Sequence, residues 1–436
     1  MSFWQRLSDA IARLFDSEPR ERSLPAPAAF AAAPAPVPAA PPAPPRSRRA
    51  MMHEVFDTGM PVANRAALAG RGEELERLLE AVIDHRKHGI IYGARGSGKT
   101  SLSRIFGDMA DERGCLVLYN LASGDVSFSD LFRPYLRDIA DEPQSRIPRA
   151  EVQALLDAPF DARRLASLFA ERVRRRTILM LDEFDRVHSQ ETKAELAAFM
   201  KLLSDMRVDV SIVTIGIAAN LEDLIAGHPS LRRHLIGVPV GGLTPASLDS
   251  LLRRCVDRVG LAITDDAAAM LVNAAVGSPY HLRLFGLHAA LHADTAGTGT
   301  IDAASVQRGL ETAFGEWHGV SRRNADILLA QAKQPRAVAL ATAVACLNAA
   351  MRSRVDRGEL IAELDAPDAA TQIDHALAAL RPILLDSALP DQYVFEDSLA
   401  PQFYLLLFTG RIAPVPTARD AGHDLRALLQ DKGSVL

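Results

Sequence analysis

Gly93-Ala94-Arg95-Gly96-Ser97-Gly98-Lys99-Thr100 matches the spacing G-x-x-x-x-G-K-[ST] without a mismatch and follows directly on the apolar run Ile90-Ile91-Tyr92. Such a segment holds phosphate. Glycine at 93, 96 and 98 lets the backbone adopt conformations that a Cβ resists, so that successive N–H groups point inward at phosphate oxygens. Lys99 supplies a point charge, and the helix expected to open there, with Thr100 and Ser101 in its first turn, adds a partial positive N-terminus. The Thr100 hydroxyl suits the magnesium ion that travels with a nucleotide.

A second stretch completes the chemistry. Thr177-Ile178-Leu179-Met180-Leu181-Asp182-Glu183 reads as a strand buried on both faces that delivers two carboxylates at its C-terminal tip. In that position Asp182 holds magnesium, directly or through water, and Glu183 orients and deprotonates an attacking water. The order of the two motifs is that of Walker A and Walker B.

The elements that must position these residues are legible around them. Helix is expected from Arg71 to Val82, with Leu75, Leu78, Leu79 and Val82 inward, and from Lys99 to about Glu112. Cys115 to Tyr119 is expected as a strand, Ser129 to Ala140 and Arg149 to Arg174 as helical, and Val208 to Ile217 and Ile236 to Val240 as two more strands. Strands alternating with helices imply a parallel three-layer sheet with its active residues at the C-terminal edge. Thr244 to Phe314 reads as helical, and Val320 to Leu407 as helices followed by a hairpin, 382–386 and 392–396, that turns at Pro390-Asp391.

At 436 residues the chain has room for two or three domains. Its 49 basic and 54 acidic residues give a formal net charge of −5, which does not advertise nucleic-acid binding by the whole chain. Cys115, Cys255 and Cys346 are isolated and lack metal-type spacing, so they read as packing residues in a reducing compartment. Without a signal-type opening or an apolar run of membrane-span length, a cytoplasmic protein is expected. At the N-terminus, Phe3, Trp4, Leu7, Ile11, Leu14 and Phe15 share one face of a short amphipathic helix, followed by a proline- and alanine-rich tract over 24–45. That pairing reads as a docking helix on a tether, aimed at a partner, at the protein's own body or at a membrane surface.

On AGRGEELERLL, GARGSGKT, LMLDEFDRV, IGIAANLEDLIAGHPSLRRHL and GSPYHLRLFGLHAA, the chain resembles the AAA+ ATPases from about Pro61 to Phe408. It is most similar there to the bacterial branch related to origin-recognition-type, TniB-type transposition and STAND ATPases. The resemblance implies an α/β fold: a three-layer P-loop NTPase (AAA+/ASCE) parallel sheet, a helical lid and a C-terminal winged-helix-like domain. It implies ATP and Mg2+ as cofactors and slow or partner-stimulated hydrolysis, with Arg232 or Arg233 as an arginine finger reaching a neighbouring subunit of a homo-oligomer. Asn220, with Thr214 several places earlier, is the candidate for sensing the γ-phosphate. In the lid motif Gly277-Ser278-Pro279-Tyr280 a tyrosine stands where origin-type relatives place a sensor arginine, and Arg283 is the candidate substitute. The helix that would meet DNA, 368–380, carries Asp368 and Asp374 and no Lys or Arg before Arg381, so a protein partner is favoured over DNA. The expected division is a docking helix at 1–20, a disordered linker at 21–60, an ATPase domain at 61–243, a lid at 244–315, a winged-helix-like domain at 316–410 and a flexible tail at 411–436.

Overall fold

The computed structural model describes residues 47–59, 68–93, 96–122, 124, 126–142, 147–216, 229–352, 354–364, 366–387 and 390–412. The expected docking helix, the proline- and alanine-rich tract and nearly all of the expected tail lie outside them.

Helix α1 (Arg48–Val55) opens the described chain, within the stretch 21–60 expected to be a disordered linker; residues 21–46 of that stretch lie outside the described residues. Ser47 caps it, and Met52, Val55 and Phe56 are buried. Gly286 makes the room, since a Cβ there would lie 2.7 Å from the Phe56 ring. Burying three such side chains contributes roughly 1.5–3 kcal/mol each, enough to hold a helix whose own sequence is too short to persist.

The first half of the chain then alternates. Helix α2 (Gly72–Leu79) continues as a π-helical turn (Glu80–Asp84) into β1 (His88–Gly93). After it come α3 (Lys99–Glu112), β2 (Leu116–Leu121), α4 (Phe128–Asp141), α5 (Arg149–Leu156), α6 (Ala162–Arg172), β3 (Thr177–Asp182), α7 (Gln190–Asp205), β4 (Val210–Gly216) and β5 (Leu235–Val240). The five strands form one parallel sheet in the order β2-β3-β4-β1-β5. The expected single helical stretch over 149–174 is two helices, because Pro159 cannot donate into a continuing ladder and Asp161 caps a new start.

Every residue of β3 is buried. Ile178 and Met180 pack with Leu102, Ile105 and Phe106 of α3 on one face, and Leu179 and Leu181 pack with α4, α6 and α7 on the other. Alternation along that strand therefore decides which layer Asp182 joins: it follows Met180 to the side of α3.

Beyond the sheet, α8 (Pro245–Arg258), α9 (Asp265–Ala275), α10 (Pro279–Thr295) and α11 (Ala303–Val320) form a helical body, with a two-residue parallel bridge between β6 (Ala262–Ile263) and β7 (Thr300–Ile301). Ser, Thr or Asp side chains cap all four helices by accepting from the first-turn N–H groups. Next come α12 (Arg322–Ala332), α13 (Arg336–Arg352), β8 (Val355–Asp356), α14 (Arg357–Leu364) and α15 (Ala369–Leu380), and then the hairpin of β9 (Leu384–Asp386) and β10 (Gln392–Phe395), followed by α16 (Ala400–Phe408). β10 pairs antiparallel with both β9 and β8. One buried apolar cluster joins α1, α8 to α11 and the C-terminal helices, including Phe285, Phe314, Trp317 and Phe403. The division expected at 315–316 falls inside α11. Among the described residues, no helix is long and apolar enough to cross a membrane.

Candidate functional site

The site lies at the C-terminal edge of the sheet, where β1 hands over to α3. Gly96 and Gly98 have φ of +74° and +95°, and Gly98 leads straight into the first turn of α3. No side chain caps that helix, so its leading N–H groups face the loop. Gly93 is required for a different reason: a Cβ there would stand 2.2 Å from the carbonyl oxygen of Val240 on β5.

Lys99 and Thr100 occupy the first two positions of α3. The Lys99 Nζ donates to the Gly93 carbonyl at 3.0 Å, which holds the ammonium across its own loop. The Thr100 Oγ1 donates to Asp182 Oδ2 at 3.1 Å, so the two motifs, 82 residues apart in sequence, touch. Asp182 is 4% exposed, and its Oδ1 accepts the Glu183 N–H at 2.7 Å. Ser101 follows, half-buried, while the Ser97 hydroxyl is buried with no hydrogen-bond partner among the described residues. Hard oxygen ligands on Thr100 and Asp182, beside an uncapped helix N-terminus and a lysine, fit Mg2+ together with a nucleotide phosphate.

Glu183 sits just past the strand in the left-handed region, at φ 55° and ψ 34°. Its Oε2 lies 3.0 Å from the Arg186 Nε, and both side chains are about half exposed. The carboxylate thus stays at the wet mouth of the site, next to the buried one.

Three participants lie outside the phosphate loop and the acidic strand end. Tyr119 of β2 donates its hydroxyl to Asp182 Oδ2, and burial together with that carboxylate raises the phenol far above its ordinary pKa, so it remains a donor. Arg104 of α3 hydrogen-bonds the same phenol, and burial lowers its pKa. Arg71, 4% exposed, donates to the carbonyls of Ser97, at 3.0 Å, and Gly241, tying the loop to the end of β5. A polar residue one strand over from the acidic tip was the only sequence signal for Tyr119.

The remaining candidates are dispersed. Arg232 and Arg233 are exposed on a 3-10 turn (Pro229–His234) that the buried Leu231 anchors. Thr214 pairs with Leu181 and so belongs to the sheet face opposite Asp182, where its buried hydroxyl has no partner among the described residues. Arg283 donates to the Asp57 carbonyl at 3.2 Å. It is Ser278 and Tyr280 of the lid motif that meet the loop, the first reaching the Gly96 carbonyl at 3.5 Å and the second lying beside the Gly96 Cα. Ala94, Arg95 and Asn220 lie outside the described residues.

A parallel α/β sheet with this loop, this helix start and this acidic strand end defines a P-loop nucleotide-binding site. Residues 82–225 match the family model described as AAA domain. Residues 82–225 are therefore an AAA domain of the P-loop kind. No curated protein sequence matches the chain. Among solved structures, the chain is similar to the Aeropyrum pernix ORC1 protein in complex with DNA, at 16% identity and a TM-score of 0.44 over 84% of this chain and 99% of that one. The Walker-type ATPase PABY2304 of Pyrococcus abyssi matches at 18% identity and a TM-score of 0.44 over 80% and 99%. The Thermotoga maritima RuvB Holliday junction branch migration motor matches at 16% identity and 0.41 over 75% and 93%.

Proposed function

We propose that this chain binds and hydrolyses ATP with Mg2+, and works as an AAA+ switch that assembles with nucleotide and acts on a protein partner. The carrying observation is the meeting of Lys99, Thr100 and Asp182 at the mouth of the sheet with Glu183 alongside. In this reading, Lys99 and the loop N–H groups hold the phosphates, and Thr100 and Asp182 hold the metal. Magnesium, when bound, offsets the charge that develops on the phosphate oxygens. Glu183 leaves Arg186 to orient the attacking water and accept its proton.

An exposed Arg232 or Arg233, carried on an anchored turn, supports a finger that completes a neighbouring subunit's site. The ATPase, lid and winged-helix-like divisions at 61–243, 244–315 and 316–410 belong to the same proposal. So do a cytoplasmic setting and a partner-directed N-terminal helix. A protein partner is favoured over DNA by two features. Asp374 on α15 binds Arg357 through both carboxylate oxygens, at 2.6 and 2.9 Å, which occupies a basic group near the helix that would face phosphates. Leu340, Leu347 and Met351 form an exposed apolar stripe along α13.

The test is steady-state ATP hydrolysis across a range of protein concentrations, with and without duplex DNA, using Glu183→Gln as the blank. Activity per subunit that rises with concentration and ignores DNA is expected. Stimulation by DNA would replace the protein partner with a nucleic-acid one, and wild-type turnover by Glu183→Gln would remove that residue as the base.

A further inference from the structure

Asp182 has more donors than a buried carboxylate at a strand end requires. Its Oδ1 takes the Glu183 N–H at 2.7 Å, and its Oδ2 takes both the Thr100 hydroxyl, at 3.1 Å, and the Tyr119 hydroxyl. With the residue 4% exposed, water has little part in this arrangement. A metal ion that approaches Oδ2 meets both hydroxyls.

The two differ in what they can offer a metal. Thr100 stands at the start of α3 and keeps lone pairs on its hydroxyl oxygen, so it can ligate a metal while its proton stays directed at Asp182. Tyr119 is fixed by the sheet: its backbone lies opposite Met180 in the β2/β3 register, and its ring is packed against the layer that contains α3. Arg104, four residues after Thr100 on the same helix, hydrogen-bonds the phenol, which leaves the phenolic proton directed at Asp182. The chain of contacts runs from α3 through β2 to β3 and back to α3.

We propose that Tyr119, steadied by Arg104, is a positioning residue for the metal aspartate: it holds the Asp182 carboxylate in place while the Thr100 hydroxyl takes magnesium. It thereby sets how strongly magnesium reinforces nucleotide binding. The proposal rests on the ATP and Mg2+ reading above. Neither residue belongs to the loop or to the acidic strand end, and β2 otherwise contributes nothing to the site.

The experiment measures ADP affinity by calorimetry in excess magnesium and in EDTA, together with Mn2+ titration of the ADP complex followed by electron paramagnetic resonance. Tyr119→Phe removes only the hydroxyl, and Arg104→Gln leaves the sheet untouched. For Tyr119→Phe, affinity in EDTA is expected to stay within about twofold of wild type while Mn2+ affinity and the magnesium enhancement fall about tenfold, as for other partners that orient a metal ligand. Arg104→Gln is expected to move the same two quantities in the same direction by a smaller factor, about threefold. An unchanged magnesium enhancement in Tyr119→Phe would overturn the proposal. So would an equal loss in EDTA and in magnesium, which would mark a packing role. A wild-type protein that gains nothing from magnesium would sink the underlying ATPase reading, and the proposal with it.

Discussion

Gly93 and Gly98 flank the same loop, yet the structure assigns them different physical duties, and alanine at each position separates the two. At Gly93 an added Cβ would meet the Val240 carbonyl oxygen at 2.2 Å, against an ordinary contact of 3.4 Å or more. β1 and β5 are paired through that very residue, so they would have to part by about 1.2 Å at Gly93↔Val240. A clash with backbone cannot be relieved by a rotamer change. Overpacking of this kind costs roughly 1–3 kcal/mol, and the expected loss for Gly93→Ala is about 3 kcal/mol because both partners are main chain. At Gly98 nothing lies within 4 Å of the added atom, and only the positive φ of +95° penalises a side chain. That strain is about 1–2 kcal/mol, partly offset by about 0.5 kcal/mol from the stiffer unfolded chain, leaving about 1 kcal/mol. Denaturant melts of the nucleotide-free proteins read the difference through the midpoint at constant slope. ADP calorimetry then shows whether the displaced loop has lost its phosphate grip, which is expected for Gly93→Ala. Equal midpoints for the two variants would refute the claim that Val240 dictates glycine at 93.

Lys99→Ala should abolish measurable ATP binding in calorimetry; tight binding would overturn the phosphate-loop assignment. Arg232→Ala and Arg233→Ala, mixed in turn with Lys99→Ala protein, should recover turnover only for the arginine that acts in trans, since the Arg variant's intact nucleotide site is then completed by the Lys99→Ala subunit's arginine. Failure of both mixtures to recover any activity would remove the finger. Burial lowers His88 from 6.5 to about 4 and His281 to about 3. The unfolded chain takes up these protons first, so the stability they confer is complete above about pH 6.5 and drains away as the pH falls toward 4 and below. At pH 5 each should cost about 2 kcal/mol relative to pH 7.5, read as a shift in the urea midpoint. A midpoint independent of pH over that range would contradict the neutral burial of both rings.

Local chemistry was legible where the backbone itself imposes it. The start of α3 at Lys99 and the end of β3 at Asp182 are as the motifs imply, because glycine spacing, a helix N-terminus and an apolar run before two carboxylates are short-range properties. The hairpin of β9 and β10 was likewise announced by its turn. Elements stabilised by distant surfaces were not legible. Helix α1 exists because Gly286 and Phe285 offer a face to Phe56, 230 residues away in the case of Gly286. Helix α11 runs through the expected division at 315–316, and one apolar cluster continues across it. Arg283, a plausible sensor by spacing, is directed to the Asp57 carbonyl instead, and Tyr280 takes the place beside the loop.

The amino-acid sequence by itself determined the phosphate-loop pattern from Gly93 to Thr100 and the pair of carboxylates, Asp182 and Glu183, after an apolar strand, since both depend on residue type and on spacing within a single turn or strand. Tertiary structure alone decided that Thr100 meets Asp182 at 3.1 Å, that Tyr119 shares the same oxygen and that Arg71 ties the loop to Gly241. The reason is strand order and register. Placing β2 beside β3, with Tyr119 opposite Met180, puts a phenol against Asp182, and pairing is set by the fit of whole faces.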